Sequence, residues 1–133
     1  MIPFFSLLLA CGADPHALSD GTFTHDPTFR PDQTGLPAGL ALTIAGDRLT
    51  FRDGSAEIAS AELGAPFEVT GCPRNMSADH MMARPVVGSL TLGTVTLADA
   101  VLLPDCQGDQ VVLTRQGPGP GPCLAEPCLQ FNP

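Results

Sequence analysis

From Leu40 onward the chain alternates apolar and polar residues with a period of two. Leu40-Ala-Leu-Thr-Ile-Ala45 and Leu49-Thr-Phe-Arg52 each place every second side chain on one face, the pattern of half-buried β-strands. Gly46-Asp47 and Asp53-Gly54 punctuate them as two-residue hairpin loops. With Gly46-Asp47 as the loop, Ala45 stands opposite Arg48, Ile44 opposite Leu49 and Leu42 opposite Phe51. With Asp53-Gly54 as a type I′ loop, Phe51 stands opposite Ala56 and Leu49 opposite Ile58. Leu42, Ile44, Leu49, Phe51, Ala56 and Ile58 then share one face, and a one-residue slip would move half of them into water.

The same reading extends along the chain. Residues 66–70 form a strand that ends at Gly71-Cys72-Pro73. Residues 75–83 lack alternation and read as a helical turn or a loop. Residues 86–92 and 94–97 are strand-like, and their apolar parity switches at Gly93-Thr94, which predicts a bulge or tight turn. Residues 101–106 and 110–115 flank Gly108-Asp109, another hairpin signal. About seven or eight short strands at turn-punctuated spacing predict an all-β fold, a small antiparallel β-sandwich or barrel.

Composition supports turns over helices. Gly and Pro number 14 each among 133 residues, and long helices accommodate few of either. The chain has no Trp and no Tyr, so its core is built from Leu, Val, Ile, Ala and seven Phe. Net charge is -8, and the six basic residues are scattered Arg with no Lys. Counterion release from a phosphate backbone needs clustered cations, so no nucleic-acid partner is expected.

The N-terminus reads Met1-Ile-Pro-Phe-Phe-Ser-Leu-Leu-Leu-Ala-Cys11-Gly12. Its apolar run is too short to span a bilayer and has the length and small-residue end of a cleaved export signal, though no Lys or Arg precedes it. Leu8-Leu9-Ala10-Cys11 resembles the lipobox of bacterial lipoproteins. The resemblance covers these four residues and implies cleavage before Cys11, acylation of that residue and a membrane partner reached through the lipid anchor. Gly12, rather than Asp, implies sorting to the outer membrane of a Gram-negative envelope, facing the periplasm or the cell surface. The expected organisation is a signal peptide at 1–10, a tether at 11–39 with one short strand near 21–25, and a β-domain at 40–116. A Gly/Pro spacer and disulfide-closed tail follow at 117–133.

With Cys11 acylated, Cys72, Cys106, Cys123 and Cys128 remain. An even set in an exported chain predicts two disulfides, with Cys72–Cys106 and Cys123–Cys128 the favoured of three connectivities. Gly71-Cys72, Met81-Met82 and Val111-Val-Leu-Thr114 are also similar to fragments of META-type domains of bacterial envelope proteins. That likeness implies a β-rich fold, but the Trp-containing opening strand of those domains is missing here.

Candidate chemistry is sparse. Met76, His80, Met81 and Met82 cluster, and thioether with imidazole suits Cu(I); the same Met residues also serve as core filling. No glycine-rich phosphate loop, dinucleotide fingerprint or nucleophile elbow is present, and no cofactor is called for. The expectation is a non-enzymatic envelope lipoprotein with a β-domain that binds or packs against another envelope protein. The alternatives are a small-ligand carrier with an apolar cavity and a periplasmic copper or metal-binding protein.

Overall fold

The computed structural model describes residues 17–28, 34–70, 80–104, 109–115 and 128–133. Eleven strands and no helix occur among them: β1 (Gly21–His25), β2 (Leu40–Ala45), β3 (Arg48–Asp53), β4 (Ala56–Glu62), β5 (Phe67–Thr70) and β6 (His80–Pro85), then β7 (Leu90–Leu92), β8 (Val95–Leu97), β9 (Ala100–Pro104), β10 (Val111–Arg115) and β11 (Cys128–Asn132). Nine of them form one antiparallel sheet in the order β4-β3-β2-β1-β11-β10-β9-β6-β5. The sheet curls into a half-barrel. Its far ends meet at one place. Leu63 bridges Val86, the Gly64 N–H donates to the Pro85 carbonyl (2.8 Å), and the Val87 N–H donates to the Glu62 carbonyl (2.9 Å).

The remaining strands, β7 and β8, form a separate hairpin that lies against β4, with one face on the core and Thr91 and Thr96 exposed on the other. Leu90 stands opposite Leu97 and Leu92 opposite Val95, so all four share one face. Gly93-Thr94 is therefore a tight two-residue turn, which explains the parity switch at that point. Leu90, Leu92 and Leu97 are at most 1% exposed and join Leu42, Leu49, Phe51, Leu102, Leu113 and Phe131 in one core cluster. The Phe131 ring sits 6.2 Å from that of Phe51, within the range of favourable tilted aromatic pairs.

The β2–β3 hairpin has the expected register, with Ala45 opposite Arg48, Ile44 opposite Leu49 and Leu42 opposite Phe51. The β3–β4 register departs from expectation. Asp53 pairs with Ala56, so the loop is Gly54-Ser55 rather than Asp53-Gly54. Gly54 alone takes positive φ (64°), as in a type II′ turn with glycine first; type I′ needs two such residues. A bulge follows between Phe51 and Arg52, so Phe51 faces Ala59 and Leu49 faces Ala61. Ile58 is the extra residue and stands 39% exposed instead of on the core face. Two alanines thus line the stretch of β4 against which β7 packs, where larger side chains would compete for the space.

Three further expectations are corrected. The strand count exceeds seven or eight, because residues 80–85 form β6 and both β1 and β11 belong to the main sheet. The folded unit is wider than 40–116: β1, assigned to the tether, pairs with β2 on one side and β11 on the other. β11, assigned to a self-contained tail, pairs along its length with β10. Pairing between strands so distant in sequence has no local signature. The Gly/Pro spacer lies outside the described residues, as do residues 1–16.

Burial divides the sheet in two. β2 and β3 alternate buried and exposed positions, as expected for a strand with one face in solvent. β9, β10 and β11 are buried on nearly every residue. On their second face Val101 and Leu103 join Met81 and Ala83 in a smaller cluster that Phe67 and Val69 border. Cys128 is fully buried at the start of β11.

Candidate functional site

Antiparallel pairing brings several loops and strand ends to one rim of the half-barrel. Gly21 at the start of β1 lies opposite Ile44 near the end of β2, and Val111 at the start of β10 lies opposite Pro104. Two cavities open at this rim, on either side of the segment Ala17–Asp20. One, of about 440 Å³, is bounded by that segment, Pro104, Asp109, Gln110 and Pro133. The other, of about 340 Å³, has Leu18, Ile44 and Met82 as apolar wall and Asp20, Asp47 and Arg84 as polar wall.

Arg84 organises the second cavity. On β6 it stands opposite Leu102 of β9, so its side chain starts on the core side of the sheet. Its guanidinium then reaches across the seam to the facing turns. Nε donates to the Gly64 carbonyl (2.9 Å) and Nη1 to that of Gly46 (3.0 Å). Nη2 donates to the Leu63 carbonyl (3.1 Å) and to Asp47 Oδ1 (2.6 Å). The Arg84 side chain is 17% exposed and that of Asp47 83%. One planar fork thus satisfies three carbonyls at strand ends and fixes the β2–β3 turn against β4 and β6. Asp20 Oδ1 caps the same turn by accepting from the Gly46 N–H (3.0 Å).

The Met/His cluster is divided by its strand. Period-two alternation sends Met81 into the buried cluster with Ala83 and Val101, while Met82 lines the rim cavity. His80 is exposed, and its Nδ1 contacts Glu68 Oε2 across the β5–β6 pair. Met76 lies outside the described residues. Met81 and Met82 therefore point to opposite faces, so Met81 stands apart from His80 and Met82. No group of three or more His, Cys, Asp or Glu converges among the described residues. Cys11, Cys72, Cys106 and Cys123 lie outside the described residues.

A polar network joins the ends of β1 and β11. Asp26 Oδ1 accepts from the Thr28 N–H (2.9 Å) and hydroxyl (2.6 Å), and Asp26 Oδ2 from Asn132 Nδ2 (3.3 Å). Those bonds, the Thr28 hydroxyl first, hold its carboxyl below the ordinary range. His25 packs its ring 5.5 Å from Phe131. Partial burial lowers its pKa, and the neighbouring Asp26 carboxylate opposes that shift in part. Gln130 donates to Asn132 Oδ1 (3.1 Å) and keeps a buried carbonyl oxygen without a partner.

Arg84, Asp47, Asp20 and Glu68 were not singled out in the sequence. A charged residue at a core-facing strand position is an informative signal, but it shows at Arg84 only once β6 is known to be a strand. No family model, no curated protein and no solved structure matches this chain.

Proposed function

We propose that this protein is a non-enzymatic cell-envelope lipoprotein, held at the outer membrane through acyl chains on Cys11, whose β-rich unit serves as a binding or structural domain for another envelope protein. The observation that carries the choice of a surface over a cavity is the filled interior. The β7–β8 hairpin turns Leu90, Leu92 and Leu97 into the buried cluster with Leu42, Phe51 and Phe131. A carrier needs an apolar chamber large enough for its ligand; the two cavities described here open at the rim instead. Recognition is left to the rim and the sheet edges.

The disulfide reading fits the same picture. Cys72 follows the end of β5 by two residues and Cys106 follows the end of β9 by two, and both of those strand ends point toward the rim. Cys128 lies opposite Thr114, three residues from the rim end of β9 and β10. At about 3.3 Å per residue the strand separates it from that end by more than a disulfide can bridge. This favours Cys72–Cys106 with Cys123–Cys128.

The test is the intact mass of the protein purified from its own envelope, with and without reduction before alkylation. The expected result is loss of residues 1–10, a mass gain matching acyl chains on Cys11, and four cysteines that alkylate only after reduction. An unprocessed N-terminus with five free thiols would overturn both anchor and disulfides.

A further inference from the structure

The edge of the sheet and the acidic rim cavity adjoin. β5 is the last strand of the nine-stranded sheet, and among the described residues no strand lies beyond it. The other edge strand, β4, is defended by a bulge, by Glu57 and Glu62, and by the bridge from Leu63 to Val86. β5 has no Pro, no bulge and one charge, Glu68. Phe67 and Val69 lean over the smaller apolar cluster. Glu68 stands opposite Met82 on the other face, and Met82 lines the cavity with Asp20, Asp47 and Arg84. Arg84 is committed to three carbonyls and Asp47. Two carboxylates, Asp20 and Asp47, therefore line the cavity against one occupied guanidinium, and Glu68, on the edge strand beside it, contacts His80.

We propose that this edge and cavity form a docking site for an extended polypeptide segment of a partner protein, in which basic side chains alternate with apolar ones. The segment adds its backbone to β5 as a tenth strand of the sheet. Period-two alternation lays its apolar side chains beside Phe67 and Val69 and its basic ones along Glu68 toward the cavity. There the aliphatic stem of a Lys or Arg covers Leu18, Ile44 and Met82 while its charged head meets Asp20 and Asp47. Charge selects the occupant. A second copy of this chain brings another -8 and no Lys, whereas a basic segment is drawn in by the field of the whole molecule. The proposal rests on the reading of the protein as a binding domain and adds to it a site and a partner chemistry.

The experiment uses the full oxidised chain and a fluorescently labelled octapeptide alternating Lys and Val, with binding read by anisotropy. Saturable binding that weakens with salt is expected. It should be abolished by N-methylation of the peptide nitrogens along one edge, which blocks strand addition and leaves the protein untouched. Asp20→Asn with Asp47→Asn should weaken it about tenfold; Asn retains an acceptor for the Gly46 N–H and for Arg84, and circular dichroism checks the fold. Absence of saturable binding, equal binding of a Glu/Val octapeptide, or indifference to N-methylation would overturn the proposal. So would a dimer formed without peptide and broken by Val69→Pro, which would place a second copy on the edge. None of these outcomes bears on the intact-mass test, so the docking site and the anchored-domain reading fail separately.

Discussion

At the scale of single residues, Arg84 is the side chain whose loss should be felt most among the charged ones. Its hydrogen bonds cross the seam from β6 to carbonyls of the β2–β3 turn and the end of β4, those of Gly46, Leu63 and Gly64. Arg84→Ala leaves the part-buried Leu63 and Gly64 carbonyls without their donor and is expected to cost about 2–4 kcal/mol in urea denaturation. Asp47→Ala removes the exposed end of the same pair and is expected to cost no more than about 1 kcal/mol. Equal losses from the two substitutions would mean that the ion pair, not the carbonyl fork, holds the seam. The His25–Asp26 pair gives stability a defined pH dependence. Burial lowers the His25 pKa, so the fold favours neutral imidazole. That contribution is complete above the unfolded value of about 6.5 and is lost as pH falls through the lower folded value. The Asp26 pKa is lowered as well, so its contribution is complete above its unfolded value and is lost at still lower pH. Denaturation midpoints followed from pH 8 downward should therefore fall in two stages, and His25→Phe should remove the first and spare the second.

At the scale of elements, three two-residue hairpin loops share one device. Gly46, Gly54 and Gly93 each occupy the first loop position with φ of 60°, 64° and 65°. Gly93 is the most constrained, since a Cβ there would lie 2.4 Å from the Gly35 carbonyl oxygen. That same oxygen accepts from the Thr94 N–H (2.9 Å) and so pins the β7–β8 hairpin to the segment before β2. Gly93→Ala is expected to be more destabilising than Gly46→Ala, whose Cβ would meet nothing, although both carry the strain of positive φ. Thermal unfolding of the two variants checks the order. Strands with one wet face were legible in the sequence for a simple reason: alternation records the two environments directly, and β2 and β3 came out in register. β6 was not, because His80-Met-Met-Ala-Arg-Pro85 carries Met82 on the face it shares with His80 and Arg84 and so hides its own period. The bulge at Ile58 was hidden as well. It answers to the hairpin packed beneath β4, a contact to which no residue near Ile58 testifies.

At the scale of the whole molecule, the candidate site is assembled from parts that sequence keeps apart. Asp20, Asp47 and Arg84 come from the segment before β1, the β2–β3 turn and β6, and only closure of the curl brings them to one cavity. Closure itself depends on β1 and β11, which sit side by side in the middle of the sheet; the bond from Asn132 to Asp26 spans 106 positions. Removing β11 would divide the sheet into β4-β3-β2-β1 and β10-β9-β6-β5 and leave two new unpaired edges. It would also remove Leu129 and Phe131 from the main cluster, where truncation of one large aromatic alone costs about 3–5 kcal/mol. That is a large share of the 5–15 kcal/mol typical of a whole domain. A chain ending at Arg115 is therefore expected to lose cooperative unfolding and to exchange its β2 and β10 amides rapidly, while a chain beginning at Ala17 keeps both properties. Hydrogen exchange on the two truncated chains separates the possibilities. Retained protection in β2–β4 without β11 would show that the early meander folds by itself, and would move the boundary of the folded unit back toward the alternating strands from which it was first read.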